Sequence, residues 1–484
     1  MNVFPNPYIY EKKEGNLVFS ENVNLMVSDT FKNGKFLKLC CELWDNFTSG
    51  KSNLNVIKSS NLKNAAIISA SKVSDVFCGK TDYEYEIDCG CEKILITYSE
   101  DVGLIHAFST ILQLVGPYRR KTGDFSIDCF VIKDKPALKF RAVHFCIFPE
   151  TSFLFLKKMI RLCGLMKCSH LILEPWGTIK LESFPYLAWK NAFSKEQIKE
   201  LADDGKALGI SFIPMMNQLG HASMSRFKCG KHVVLDQAPE YEELFLPAGW
   251  TWNIKNNETL KVLEDIRKEL CEIFDGCEYF HIGCDESLLD DNRKKDPDVH
   301  DVNAHAKYIN SVSESLKKLG KKTIAWGDMF LDKDPFAYPF CANITDRKNS
   351  IDMLDKDVIV ADWQYNIDVT KDESVKYFLK TRDAKTLILC PWTGNDNIKG
   401  RCELAKKYNL FGVMATTWNK VYDEIKDLVY SNCVMWEKDS EYADACTFEI
   451  LKGFAAQNIR KLVPSNGNYD DAGFMIGQLH SNSN

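Results

Sequence analysis

The sequence predicts an α/β protein, a (β/α)8 barrel preceded by a smaller α+β domain. Three observations carry this. From about residue 140 onward, short apolar runs alternate with helical patterns, and eight such runs can be counted. Before that point the rhythm differs, and the two regions meet at a polar, proline-ended stretch, Lys133-Asp134-Lys135-Pro136. The apolar runs also tend to end on carboxylates or tryptophans, the end where barrels of this kind carry their chemistry. A doubly wound open sheet is the rival, but no G-x-G-x-x-G turn occurs in the chain. At 484 residues the chain exceeds a typical single domain. The expected division is residues 1–132 for the α+β domain, 133–463 for the barrel and 464–484 for a C-terminal tail.

In the first region, strand-like runs occur at 22–27, 54–57, 65–69, 83–87 and 93–98. A helix is expected over 102–115, where Leu104, Ile105, Phe108, Ile111, Leu112 and Val115 recur at spacings of three and four. Gly116-Pro117 stops it. The eight barrel strands are expected at 140–147, 170–174, 210–216, 279–283, 323–326, 358–363, 386–392 and 411–418. Helical patterns between them lie at 194–208, 258–274, 303–319 and 371–380, and residues 443–462 read as one closing helix.

Composition narrows the function classes. Apolar residues at 45% and charged residues at 26% are those of an ordinary globular protein. A net charge of -6 and the lack of a basic stripe argue against nucleic acid as a partner. The first residues show neither a basic n-region nor an apolar h-region, and no stretch approaches membrane-spanning length. The 18 cysteines are scattered, with one adjacent pair, Cys40-Cys41, one Cys89-x-Cys91 and no C-x-x-C. That pattern reads as free thiols in a cytoplasmic protein, and neither a metal nor a cofactor is expected from it. Whether the chain forms a homodimer is left open.

The most informative segment is Tyr279-Phe280-His281-Ile282-Gly283-Cys284-Asp285-Glu286, where an apolar run ends on two adjacent carboxylates. Paired carboxyl groups in one cleft suit glycoside hydrolysis, since one protonates the leaving oxygen while the other manages developing positive charge. The remaining strand ends add Glu174-Pro175-Trp176, Asn217 to His221, Trp326-Gly327-Asp328, Asp362-Trp363-Gln364-Tyr365, Pro391-Trp392 and Thr417-Trp418. Aromatic faces around a few polar groups fit the apolar face of a pyranose ring.

These residues resemble glycoside hydrolase family 20, the β-N-acetylhexosaminidases. His281-Ile282-Gly283-Cys284-Asp285-Glu286 is similar to that family's H-x-G-G-D-E signature. Phe140-Arg141-Ala142 resembles its first-strand R-G pair, Ile213-Pro214 with Gly220-His221 its third-strand ending, and Trp418 its last-strand tryptophan. The resemblance spans about 137 to 460 and implies a retaining exo-glycosidase that releases terminal β-linked GlcNAc or GalNAc. It implies Glu286 as general acid/base, with a raised pKa. Asp285 would orient the 2-acetamido group, whose carbonyl oxygen is the nucleophile in this substrate-assisted scheme. By the same resemblance Arg141 would grip the sugar's outer hydroxyls. Trp326, Trp363, Trp392 and Trp418 would wall the pocket, and Tyr365 would donate to the acetamido oxygen. His221, backed by Glu174, would tune Glu286, and His281 would support the pair from behind.

The chain departs from the family pattern at Cys284, Ala142 and Cys146, where glycine, glycine and aspartate are usual, and at Asn419-Lys420, where a carboxylate often follows the tryptophan. Two alternatives remain open: a retaining glycosidase using Asp328 or Asp362 as a carboxylate nucleophile, and a degenerate carbohydrate-binding protein.

Overall fold

A computed structural model describes residues 3–59, 68–72, 84–115, 125–223, 233–246, 249–287, 302–331, 350–365, 371–418, 424–439, 441–446 and 448–463. The expectations for Gly116-Pro117, for Asn419-Lys420 and for the tail 464–484 fall outside these residues, as does most of the expected run 65–69.

The amino-terminal part is a mixed seven-stranded sheet. Its strands are β1 (Ile9–Val18), β2 (Asn22–Ser28), β3 (Asn53–Ser59), β4 (Ile68–Lys72), β5 (Tyr85–Cys89), β6 (Ile94–Tyr98) and β7 (Ser126–Asp134), in the spatial order β1-β7-β5-β6-β4-β2-β3. The helices Gly34–Thr48 and Asp101–Val115 pack together through Phe36, Trp44 and Phe108. Asn33 caps the first by accepting the Phe36 N–H. Nearly every side chain of the second is buried, from Gly103 to Val115. β7 runs through the expected boundary at 132/133, and the barrel sheet begins only at Phe140.

Eight parallel strands follow: β8 (Phe140–Ile147), β9 (His170–Pro175), β10 (Ser211–Pro214), β11 (Tyr279–His281), β12 (Lys322–Trp326), β13 (Ile359–Trp363), β14 (Leu387–Cys390) and β15 (Gly412–Ala415). β8 lies between β9 and β15, and a parallel bridge from Met215 to His281 joins the two ends of the sheet into a barrel. Alternate residues point inward and fill it: Phe140, Ala142, Ile172, Ile213, Ile324, Ile359, Ala361, Ile388 and Met414. Helices lie between most strands, including Phe153–Leu165, Lys195–Ala207, Asn257–Ile273, Val302–Lys318, Glu373–Leu379, Asn395–Lys407 and Ile425–Trp436. The single closing helix expected over 443–462 is two, Glu441–Ala445 and Phe448–Leu462.

A buried polar cluster joins the two parts at the amino-terminal end of the barrel. The Lys167 ammonium lies 2.8 Å from Asp134 Oδ2 and 2.7 Å from the Tyr85 hydroxyl. Tyr85 donates to the same carboxylate at 2.5 Å, and the Trp436 indole donates to Asp134 Oδ1 at 2.9 Å. Lys167 and Asp134 are fully buried. Lys167 also adopts φ 61° just beyond the helix Phe153–Leu165, a left-handed conformation that costs a non-glycine residue about 1–2 kcal/mol.

Candidate active site

β11 is short because the chain turns at once into left-handed backbone. Gly283 (φ 65°), Cys284 (φ 70°) and Glu286 (φ 41°) all leave the strand region. Gly283 is required here, since a Cβ would fall 1.4 Å from Asn217 Oδ1. Cys284 has the same backbone sign, so the position where glycine is usual carries a side chain against local preference. The opposing loop after β10 packs equally close: a Cβ on Gly220 would lie 2.3 Å from the Asp285 carbonyl oxygen. Two strand-end loops are thereby locked backbone to backbone.

That lock sets the central geometry. His221, itself at φ 56°, places Nε2 3.4 Å from Asp285 Oδ2 and 3.5 Å from Glu286 Oε2. Asp285 is buried, while 29% of the Glu286 side chain is exposed, which gives the second carboxylate access to a guest. Both sides of the Glu286 backbone are held. Its N–H donates to Asp328 Oδ2 at 3.1 Å, and its carbonyl accepts from the Trp250 indole at 2.8 Å. Trp250 also packs on the His221 ring, centroids 4.3 Å apart. Burial, then the neighbouring charge of Asp285, pushes the Asp328 carboxyl well above the usual carboxylate range. His281 is fully buried; its Nδ1 accepts the Gly283 N–H at 3.0 Å and its ring packs on Trp326.

Aromatic side chains from β12 to the residues after β15 line the same end. Trp363 stacks on Tyr365 at 5.1 Å, and Tyr365 lies 5.4 Å from Trp392. The Trp418 indole donates to the Tyr365 hydroxyl at 2.7 Å. Thr416 commits its own proton to the Pro391 carbonyl at 2.9 Å, so Tyr365 is the donor in the 3.3 Å contact with Thr416. The result is a directed chain, Trp418 to Tyr365 to Thr416 to Pro391, whose longest link is the tyrosine's own donation. Burial pushes the Tyr365 phenol well above its ordinary value, which keeps that proton in place. Trp392 donates to Glu424 at 2.6 Å.

Two expectations need correction. Arg141 is not at the mouth. It is the second residue of β8, and its side chain points outward at the amino-terminal end. Its guanidinium donates to the carbonyls of Leu138, Lys139 and Lys167 and lies 4.8 Å from the Trp436 ring. Trp326 is fully buried on the inward face of β12, its ring centroid 5.7 Å from that of Trp418. Glu174 is packed with His144, Cys146 and Asn217 at 3.0, 3.2 and 3.4 Å, whereas His221 Nε2 lies beside the carboxylates of Asp285 and Glu286. Of the rival nucleophiles, Asp362 lies on the outward face of β13, accepting from Ser374 and Gln364. Asp328 is engaged by the Glu286 backbone.

Sequence reading missed His144, Trp250 and Glu424. His144 had a signal, since the inward alternation of Phe140 and Ala142 continues to it. Trp250 and Glu424 come from loops and a helix start with none.

The profile of glycosyl hydrolase family 20, catalytic domain, matches residues 176–436. The β-hexosaminidase subunit beta of Entamoeba histolytica is 24% identical over 406 residues, covering 71% of this chain and 66% of that protein. β-Hexosaminidase 1 of Coccidioides posadasii is 23% identical over 352 residues, covering 65% and 55%. The chain thus spans only part of the length of the curated relatives it matches, 66% and 55% of these two. A Vibrio harveyi GH20 exo-β-N-acetylglucosaminidase, solved with N-acetylglucosamine, superposes with a TM-score of 0.69 at 14% identity over 95% of this chain and 77% of that one. A mutant Streptomyces plicatus β-hexosaminidase in complex with GlcNAc gives 0.67 at 15% identity, with 97% of both chains covered. No helix among the described residues is long and apolar enough to cross a membrane. With the family profile matching more than half its length, and a barrel whose fourth strand is followed by a left-handed turn carrying Asp285 and Glu286, the chain belongs to glycosyl hydrolase family 20.

Proposed function

We propose that the chain is a retaining exo-glycosidase that releases terminal β-linked N-acetylhexosamine, GlcNAc or GalNAc, by substrate-assisted catalysis. The observation that carries this reading is His221 Nε2 lying between Asp285 and Glu286, with Glu286 the more exposed of the two. Glu286 protonates the glycosidic oxygen as the C1–O bond breaks, and the 2-acetamido carbonyl oxygen bonds to C1 to form an oxazolinium ion. Asp285 accepts the amide N–H and stabilises the cation as it forms. Tyr365 turns its proton from Thr416 to the acetamido oxygen. Water, deprotonated by Glu286, then opens the ring with net retention. Trp363, Trp392 and Trp418 enclose the sugar, whose apolar face suits their rings. A carboxylate nucleophile is disfavoured because Asp328 accepts the Glu286 N–H and Asp362 faces outward. A cytoplasmic setting, where free cysteines persist, is part of the same proposal.

The test is hydrolysis of matched chromogenic β-GlcNAc, β-GalNAc and β-glucoside substrates, with Glu286→Gln in parallel. Cleavage confined to the N-acetylated sugars and lost in Glu286→Gln is the expected outcome. Comparable cleavage of the glucoside would sink substrate assistance.

A further inference from the structure

The geometry points to a transition-metal site of the zinc class at the carboxyl-terminal end of β8 and β9, formed by His144, Cys146 and Glu174. Cys146 and Glu174 are register partners on adjacent strands, and His144 stands two residues before Cys146 on the same inward face. All three are buried, and their donor atoms all lie within 4.8 Å of one another. The separations are 3.0 Å from His144 Nε2 to Glu174 Oε2, 3.2 Å from Cys146 Sγ to the same oxygen, and 4.0 Å from Sγ to Nε2. A tetrahedral ion with ordinary zinc bond lengths holds its nitrogen, oxygen and sulfur ligands about 3.3–3.6 Å apart, so each pair is within about 0.5 Å of what coordination needs.

The donor chemistry narrows the ion. A sulfur ligand disfavours magnesium and calcium, a carboxylate disfavours copper(I), and the imidazole–thiolate–carboxylate set suits zinc. Charge closes as well. In the metal-free arrangement Glu174 is in polar contact with His144, Cys146 and Asn217. On binding a divalent ion the Cys146 thiol loses its proton to solvent and the His144 proton moves to Nδ1. Thiolate and carboxylate then neutralise the two positive charges in a place where an unbalanced charge is costly. No oxidation change is involved. Three protein ligands leave a fourth position for water or a guest oxygen, as in open zinc sites. The usual zinc spacings are absent from the sequence because two ligands alternate along one strand and the third comes from its neighbour.

The site does not depend on the glycosidase reading, and its test reads the metal directly. The full chain is loaded with zinc sulfate, desalted, and its metal measured by mass spectrometry, and a second sample is loaded with cobalt(II) for its absorption spectrum. About one ion per chain and a near-ultraviolet thiolate-to-cobalt band are expected. Cys146→Ser and Glu174→Gln, checked for folding by circular dichroism, should each lower retention at least about tenfold, and Cys146→Ser should abolish the band. Retention unchanged in both folded variants would place the ion elsewhere and overturn the assignment. A wild-type chain that keeps no zinc, or a cobalt form without a thiolate band, would overturn it without any variant.

Discussion

Replacing Asp134 by asparagine tests how the two parts of the chain are held together. Asp134 is fully buried, and its carboxylate receives the Lys167 ammonium, the Tyr85 hydroxyl, the Trp436 indole and the backbone N–H of Tyr8. The amide side chain is nearly isosteric, so packing survives, but one of its ends becomes a donor facing donors. Lys167 is left buried without its carboxylate partner. Removing one partner of a buried pair costs about 3–5 kcal/mol, which is a large share of a total stability of about 5–15 kcal/mol. Urea unfolding followed by circular dichroism reads the loss directly. The decisive comparison is the double variant Asp134→Asn/Lys167→Met, which removes the orphaned charge while keeping its apolar stem. It should recover at least about half of the loss, because the penalty of a broken buried pair is mostly the stranded ion. A single variant within about 1 kcal/mol of the parent, or a double variant as unstable as the sum of both singles, would refute the reasoning.

Three further outcomes are expected. Asp285→Asn should lower kcat on a chromogenic N-acetylglucosaminide by about 10²–10³, with a smaller change in KM, since the lost charge matters most as the cation forms. Asp328, raised by burial and by the charge of Asp285, favours folding below the ordinary aspartate pKa, and that contribution fades as pH rises through its raised value. Asp328→Asn should therefore flatten the fall in melting temperature as pH rises above the ordinary aspartate range, whereas Asp328→Ala, which strands the Glu286 N–H, should cost about 1–3 kcal/mol at every pH. His305 is fully buried, its ring nitrogens have no partner among the described residues, and burial lowers its pKa to about 4. It folds neutral, so its contribution is whole above the ordinary histidine value and is lost as pH falls towards 4, by about 3 kcal/mol in the limit. His305→Phe should be less acid-labile than the parent in melting curves taken at pH values across that window.

The barrel strands were legible because each is a short apolar run bounded by turns, and β8 matches its expected span of 140–147. Their ends were not. The run 279–283 stops at His281 because Gly283 and Cys284 turn left-handed, a backbone fact that an apolar count cannot register. The helix Ile425–Trp436 escaped for the opposite reason, since it is buried on every side and has no polar face to set a period. β1 escaped because it is an edge strand carrying Glu11, Lys12, Lys13 and Glu14, all exposed. At the candidate site, Asp285 and Glu286 follow one strand and His221 lies in the loop after its neighbour, so the strand order alone brings them to one end of the barrel. Arg141 misled because its residue type suits sugar hydroxyls, while its place between the inward-facing Phe140 and Ala142, at the start of β8, turns it outward at the other end. The cluster of His144, Cys146 and Glu174 depends on which strands become neighbours, and pairing is a property of the closed barrel.

The directed chain through Tyr365 has a consequence for how a guest is received. Trp418 fills one side of the phenol oxygen, Thr416 has spent its own hydrogen on Pro391, and the tyrosine's hydrogen spans the longest gap in the series. A carbonyl oxygen arriving in the pocket needs only that one hydrogen to rotate away from Thr416, with no heavy atom displaced. X-ray maps of the empty and occupied protein would then superpose at Tyr365, Thr416 and Trp418, and neutron diffraction would see the difference. On the proposed reading, the pocket would pass from waiting to holding by the turn of a single hydrogen.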